Sequence, residues 1–241
     1  MTDIAWIGIE ESTTAARGWG FDGAGTPRAE ARADDAAGVV ADLPDAPALV
    51  ISDRAAPGAR PVPARVLPEH GPLAPLSQAS PPALLPVTAC LRLAGALVAR
   101  PHWDGVCVLP MADATHWIHV SAGEVVSIVS FLTPRLARML EAMPERASTA
   151  ASGDTMARPE RLAAQLAQAE LTGDAAAVLG HLLGAELAAA RPYWLGQGIV
   201  LIGEGALADS YGDILTAQGA VPERMNTTGT AQAGLAALRA R

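Results

Sequence analysis

The chain has 241 residues, half of them hydrophobic and 17% charged, with a net charge of −8. Such a chain folds around a real core as one large or two modest domains, and its acidic balance without any basic run excludes the electrostatic footprint of a nucleic-acid binder. All 17 basic residues are arginine, which excludes a phosphate-loop, protein-kinase or Schiff-base lysine.

Residues 3–9, 17–21 and 28–33 read as three strands, joined by the Ser12-Thr13-Thr14 turn and the Asp22-Gly23-Ala24-Gly25 turn. Residues 34–41 predict a short helix and 48–52 a buried strand. Residues 54–82 form a Pro/Gly/Ala-rich passage without periodicity, expected to be a long irregular excursion. Residues 82–100 have helical length, with Pro82 at the start. The order then repeats. Strands are expected at 106–109, 115–120 and 125–131, with Ser121-Ala122-Gly123 turning the hairpin, and a helix at 134–143 with Pro134 in its first turn. Residues 148–154 read as a flexible linker, 159–171 and 174–190 as helices, 199–202 as a buried strand, and 206–218 and 230–239 as helices. Three strands, helix, strand, helix, occurring twice, is the pattern of a duplicated ribonuclease-H-like domain. A generic α/β sandwich whose halves are alike by chance stays open. No charged-then-apolar leader precedes the first strand, and the longest apolar stretch, 84–99, is interrupted by Arg92 and too short to span a bilayer. Cys90 and Cys107 stand singly, without a CxxC. The expectation is a reduced, cytoplasmic protein with no membrane partner.

From Gly180 to Ala206 a small-residue helix runs into a loop, the apolar strand at 199–202, and the Gly203-Glu204-Gly205 turn opening the next helix. Such a turn aims backbone N–H groups and a positive helix end at a ligand, often a nucleotide. Together with Gly180, Gly184, Glu186, Arg191, Tyr193, Leu207, Tyr211 and the ending Ala231-Gln232-Ala233-Gly234-Leu235, this stretch resembles the 2-dehydro-3-deoxygalactonokinase family. These are sugar-acid kinases of the actin/hexokinase superfamily. The resemblance implies a duplicated ribonuclease-H-like α/β fold with two domains around a cleft, one over residues 1–100 and one over 101–241, the last helix crossing back toward the first. It also implies phosphorylation of 2-dehydro-3-deoxy-D-galactonate with ATP and Mg²⁺.

Family members open with Asp-x-Gly-Thr-(Thr/Ser)-Asn-Leu-Arg-Ala-Trp, a turn that wraps ATP phosphates. Here Thr13, Thr14, Arg17 and Trp19 fit, but Glu10 replaces the aspartate and Ser12 the glycine that lets backbone approach phosphate. By resemblance Glu10, Thr13 and Thr14 contact phosphate, Arg17 and Glu186 the sugar acid, and Gly203 and Gly205 the nucleotide. The two carboxylates of the family's Arg-Gly-Glu-Glu-Thr-Gln segment fall on Ala89 and Cys90, neither of which takes up a hydroxyl proton as a carboxylate does. The second phosphate hairpin, Pro-Gly-Thr-His-x-Lys-Trp in the family, is one residue longer here over 110–117 and lacks the glycine and lysine. Thr115 and His116 would contact phosphate there, with Asp113 as replacement catalytic carboxylate and, beside Glu10, as a Mg²⁺ ligand through water. The alternative is a hairpin tip whose polar residues meet water. His70, His102, His119 and His181 form no metal-spaced set, and no Gly-x-Ser-x-Gly elbow exists. Two readings stand: an ATP-dependent sugar-acid kinase, or a catalytically disabled relative that binds a small acid or a protein partner. The Ala/Leu-rich helices suit a homodimer interface as well as a core.

Overall fold

A computed structural model describes residues 4–241. Strands β1 (Trp6–Glu11), β2 (Ala16–Phe21) and β3 (Pro27–Ala33) form an antiparallel meander, followed by helix α1 (Ala36–Asp42) and strand β4 (Ala48–Ser52). Asp3, which the sequence assigns to the first strand, lies outside the described residues. Strand β4 returns parallel to β1, with Ile9 opposite Val50, and completes a sheet of order β3-β2-β1-β4. Alternation along β1 sends Ile7 and Ile9 into a cluster with Val39 of α1, while a side chain at Gly8 would meet Leu235 on the other face. That is why β1 is buried throughout.

The Pro-rich passage is more ordered than its composition suggests. It contributes β5 (Arg60–Pro61) and β6 (Leu76–Gln78), which join β7 (Ala83–Leu85) in a small three-stranded sheet. Helix α2 (Val87–Leu97) therefore starts later than expected, after Pro86, because residues 83–85 are drawn into that sheet. Its first turn is capped from outside the helix: Asp53 accepts the Thr88 N–H (3.2 Å) and hydroxyl (2.6 Å).

The second meander consists of β8 (Gly105–Pro110), β9 (Thr115–Ser121) and β10 (Glu124–Phe131). It is followed by α3 (Thr133–Met139), α4 (Thr149–Ala157), a 3₁₀ turn (Pro159–Arg161), α5 (Leu162–Leu171), α6 (Ala175–Ala189) and α7 (Arg191–Trp194). Then come β11 (Ile199–Ile202), α8 (Gly205–Ala217), β12 (Glu223–Met225) and α9 (Thr227–Arg239). The second sheet has the order β10-β9-β8-β11-β12, with β11 parallel to both β8 and β12. The repeated meander with a parallel fourth strand is the α/β plan of the actin/hexokinase-like fold.

Contacts divide the chain into two units, one of Met1–Trp103, Gly123–Val125 and Thr227–Arg241, the other of Asp104–Ala122 and Val126–Asn226. In the first, α2 and α9 pack backbone to backbone, since a Cβ at Gly95 or Gly234 would strike Thr230 or Leu91 carbonyl oxygen. In the second, the core gathers Val106, Val108, Trp117, Leu183, Leu201, Tyr211 and Ile214 around α6. The segment 148–154 is not a linker. Ser148 caps α4 by accepting the Ala151 N–H (3.2 Å), and the helix lies against α6 where Gly180 and Gly184 leave room for the Ser148 and Ser152 carbonyls. Among the described residues no helix is long and apolar enough to cross a membrane.

Candidate functional site

The end of β1 carries two acids, and the fold engages both. Glu10 is buried and held by Arg92 of α2, whose Nε donates to Oε1 (2.6 Å) and Nη2 to Oε2 (3.1 Å). This fork occupies both carboxylate oxygens. Glu11 accepts the Ser52 hydroxyl and the Ala36 N–H (2.9 Å), with Arg54 Nη1 3.6 Å away. The Ser52 bond first, then the Ala36 bond and Arg54, hold its carboxyl below the usual carboxylate range.

The turn that follows satisfies its own donors. Ser12 Oγ accepts the N–H groups of Thr14 (3.3 Å) and Ala15 (3.1 Å) and donates to the Ala15 carbonyl (2.9 Å). Arg54 ties the other side, donating to the carbonyls of Ser12 (3.2 Å) and Thr13 (3.2 Å). Thr13 and Thr14 stay exposed at the tip. A phosphate-cradling turn needs free N–H groups, and here a side-chain oxygen takes their place.

Beside Glu10 lies a cavity of about 260 Å³, lined by Ser12, Arg17, Arg32, Arg92 and Thr227 among others. Arg17 faces Glu10 across the β1–β2 pair, and its guanidinium carbon lies 5.0 Å from the Trp19 ring centre. The Nε groups of Arg17 and Arg32 both donate to Glu30 (2.8 and 3.1 Å), which pins the two side chains. Three guanidinium groups thus border a small concavity whose one lining carboxylate is already neutralised.

In the second unit the sequence-assigned residues divide between surface and interior. Asp113 is half exposed, accepts from Arg138 Nη2 (2.8 Å) and has Arg135 at 3.6 Å. Thr115 and Glu186, expected at phosphate and substrate, instead lie in the core. Glu186 accepts from Trp117 Nε1 (2.7 Å) and from the Tyr211 hydroxyl (2.8–2.9 Å), which in turn is 2.6 Å from Thr115 Oγ1. Burial pushes the Glu186 carboxyl up to about 7 against the lowering effect of hydrogen bonds from Thr133, Trp117 and Tyr211, and drives the Tyr211 phenol well above its ordinary value. His116 is buried too, with Nδ1 2.8 Å from Ser130 Oγ, and desolvation lowers its pKa to about 4. A neutral imidazole offers phosphate no charge. Gly203 and Gly205 flank the β11–α8 turn, where Ala208 crowds the Cβ position of Gly203 (2.8 Å) and Gly205 has φ +75°. Cys90, at the place of a family carboxylate, is fully buried, and desolvation pushes its thiol up to about 12. Among the described residues no three His, Cys, Asp or Glu side chains gather to hold a metal.

Sequence reasoning missed Arg92, whose pairing spans 82 residues, and Arg32. The one available signal was an arginine interrupting the apolar face of a buried helix.

Residues 140–238 match the model of the 2-keto-3-deoxy-galactonokinase family. A crystal structure of a Sinorhizobium meliloti protein, provisionally named a 2-dehydro-3-deoxygalactonokinase, matches with a TM-score of 0.81 at 19% identity, over 96% of this chain and 97% of that one. The activator of 2-hydroxyisocaproyl-CoA dehydratase from Clostridium difficile, solved with bound ADPNP, matches at 0.53 with 8% identity, over 99% and 95% of the two chains. Component A of (R)-2-hydroxyglutaryl-CoA dehydratase from Acidaminococcus fermentans matches at 0.51 with 11% identity, over 98% and 97%. No curated protein matches the chain. At such identities the structural likeness shows the fold alone. The resemblance read from the sequence is borne out: the 2-keto-3-deoxy-galactonokinase family model matches residues 140–238, and the structure carries the actin/hexokinase-like fold.

Proposed function

We propose that this chain is a sugar-acid kinase relative that binds a small acid in its first unit and has lost efficient phosphoryl transfer. The observation that carries this reading is the fork between Arg92 and Glu10, which fills with a protein cation the carboxylate that a kinase would turn toward Mg²⁺. ATP and Mg²⁺ are what the resemblance implies. The residues of the first turn do not fit them, because Ser12 Oγ already takes the N–H groups of Thr14 and Ala15 and the Arg92 fork already engages both Glu10 oxygens and neutralises their charge. No transfer step is therefore assigned to these residues.

Acid binding rests on the cavity lined by Arg17, Arg32 and Arg92. Their Nε groups are committed to Glu30 and Glu10, so the terminal nitrogens of Arg17 and Arg32 are the donors best placed for an incoming carboxylate. Fixing the side chains beforehand reduces the ordering cost of binding. The ligand that kinship favours is 2-dehydro-3-deoxy-D-galactonate, as a bound acid. Asp113 stands as the carboxylate to test should any transfer occur, although Arg138 and Arg135 hold it.

Calorimetry with 2-dehydro-3-deoxy-D-galactonate on the wild type and on the Arg17→Gln/Arg32→Gln double variant tests the proposal. Saturable binding that the double variant weakens at least about tenfold supports it. Absence of acid binding, or binding indifferent to both arginines, rejects this site.

A further inference from the structure

Helices α4, α5 and α6 and the 3₁₀ turn of the second unit line a second cavity, of about 420 Å³, in which Asp154, Arg158, Arg161, Gln165, Gln168 and His181 present polar groups. Two of these side chains are more than nine-tenths buried, Gln165 at 8% and His181 at 9% exposure. Their inner edges are fixed by hydrogen bonds. The Thr155 hydroxyl donates to Gln165 Oε1 (2.8 Å), which leaves the Gln165 NH₂ directed away from that bond. His181 Nδ1 lies 3.1 Å from the Ala151 carbonyl oxygen, which only accepts, and 2.8 Å from Thr155 Oγ1. The single Thr155 proton is committed to Gln165, so Nδ1 carries the imidazole proton and donates. Nε2 is the ring nitrogen left over for the cavity that His181 lines. Among the described residues neither the Gln165 NH₂ nor His181 Nε2 has a hydrogen-bond partner, and neither Arg158 nor Arg161 has a carboxylate within ion-pair distance.

These polar edges have no protein partner and open onto the cavity, so whatever fills it meets them. Polar groups converge on one concavity: two guanidinium groups, an amide donor, an imidazole nitrogen and the Asp154 carboxylate. We propose that this cavity is a binding site for a small oxyanion carrying a neighbouring hydroxyl. Arg158 and Arg161 hold the carboxylate or phosphate oxygens, and the Gln165 amide adds a donor beside them. The ligand hydroxyl donates to His181 Nε2, and further hydroxyls reach Asp154. The donors match the anion and the acceptors match the hydroxyls, so a bare apolar acid or a cation meets the wrong partners. The site uses no residue of the first unit.

The probes are D-gluconate for the carboxylate source and glycerol 3-phosphate for the phosphate source. The readout is the His181 ring signal in carbon–proton correlation spectra, assigned by its disappearance in His181→Gln. At least one probe is expected to move that signal saturably below about 10 mM, and the responding probe identifies the source. Both arginines are exposed, so Arg158→Gln/Arg161→Gln leaves the helix packing intact, and it is expected to weaken the response at least about tenfold. A His181 signal unmoved by both probes overturns the proposal, even if gluconate binds elsewhere. A shift that survives the double variant at undiminished affinity overturns it too.

Discussion

The two units share a meander with a parallel fourth strand, yet their acidic residues have met opposite fates. In the first unit Glu10 and Glu11 stay at the end of β1, Glu10 paired with Arg92 and Glu11 held by the Ser52 hydroxyl with Arg54 nearby. In the second, no cation among the described residues pairs with Glu186, which sits in the core among Trp117 and Tyr211, its carboxyl pushed up to about 7 by burial. The family match over 140–238 therefore falls on residues whose work here is packing: Gly180, Gly184, Glu186 and Tyr211. Kinship can be written in a core while the turns that would do chemistry change.

The largest expected effect comes from breaking the fork in the first unit. Arg92→Ala leaves Glu10 buried without a partner and should cost about 3 kcal/mol by denaturant unfolding. Restoring an uncharged pair with Glu10→Gln should recover part of that loss. If Arg92→Ala is neutral, the fork is not what holds the β1 end.

The second unit should answer to pH. Glu186 titrates near 7 when folded against 4.5 when exposed, so the folded state binds the proton more tightly. Its contribution is full below about pH 4.5 and is lost as pH rises through about 7, a change of up to about 3 kcal/mol. Glu186→Gln keeps an acceptor for Trp117 and Tyr211 and should flatten that slope between pH 5 and 7. An unchanged slope would place the titration elsewhere. Glu11, with its lowered pKa, contributes with the opposite sign, its share being lost only as pH falls below the carboxylate range.

Gly184→Ala presses a methyl group against the Ser152 backbone and should cost about 1–3 kcal/mol with no effect on acid binding. The smallest effect is expected at the first turn. Ser12→Gly removes the hydroxyl that caps Thr14 and Ala15, which should cost about 1 kcal/mol and open those N–H groups to phosphate. Nucleotide affinity measured by calorimetry should rise in Ser12→Gly, and a fall would show that Ser12 itself holds the ligand.

Much of the fold was legible because alternation and turn chemistry mark it. The strand at 48–52 and that at 199–202 were placed to the residue, and the Ser12-Thr13-Thr14 turn sits where its composition put it. Helix α4 was not legible, since Ser, Gly and Thr read locally as a linker and its helix depends on the two glycines of α6, about 30 residues away. Strands β5, β6 and β12, two or three residues each, are too short for a period. The bulk of Ser12 was visible in the sequence, but not that its hydroxyl would satisfy the turn. His181 looked bland because its meaning lies in Thr155 and Gln165, which only the packed helices bring to it.

The central claim, that the first unit keeps acid recognition without phosphoryl transfer, is tested most directly in one sample. Wild-type protein is incubated with Mg-ATP and 2-dehydro-3-deoxy-D-galactonate, while phosphorus spectra follow any phosphorylated acid and calorimetry follows acid binding. The account predicts saturable acid binding with no phosphorylated acid above the enzyme-free control. Accumulation of phosphorylated acid over many turnovers would contradict it.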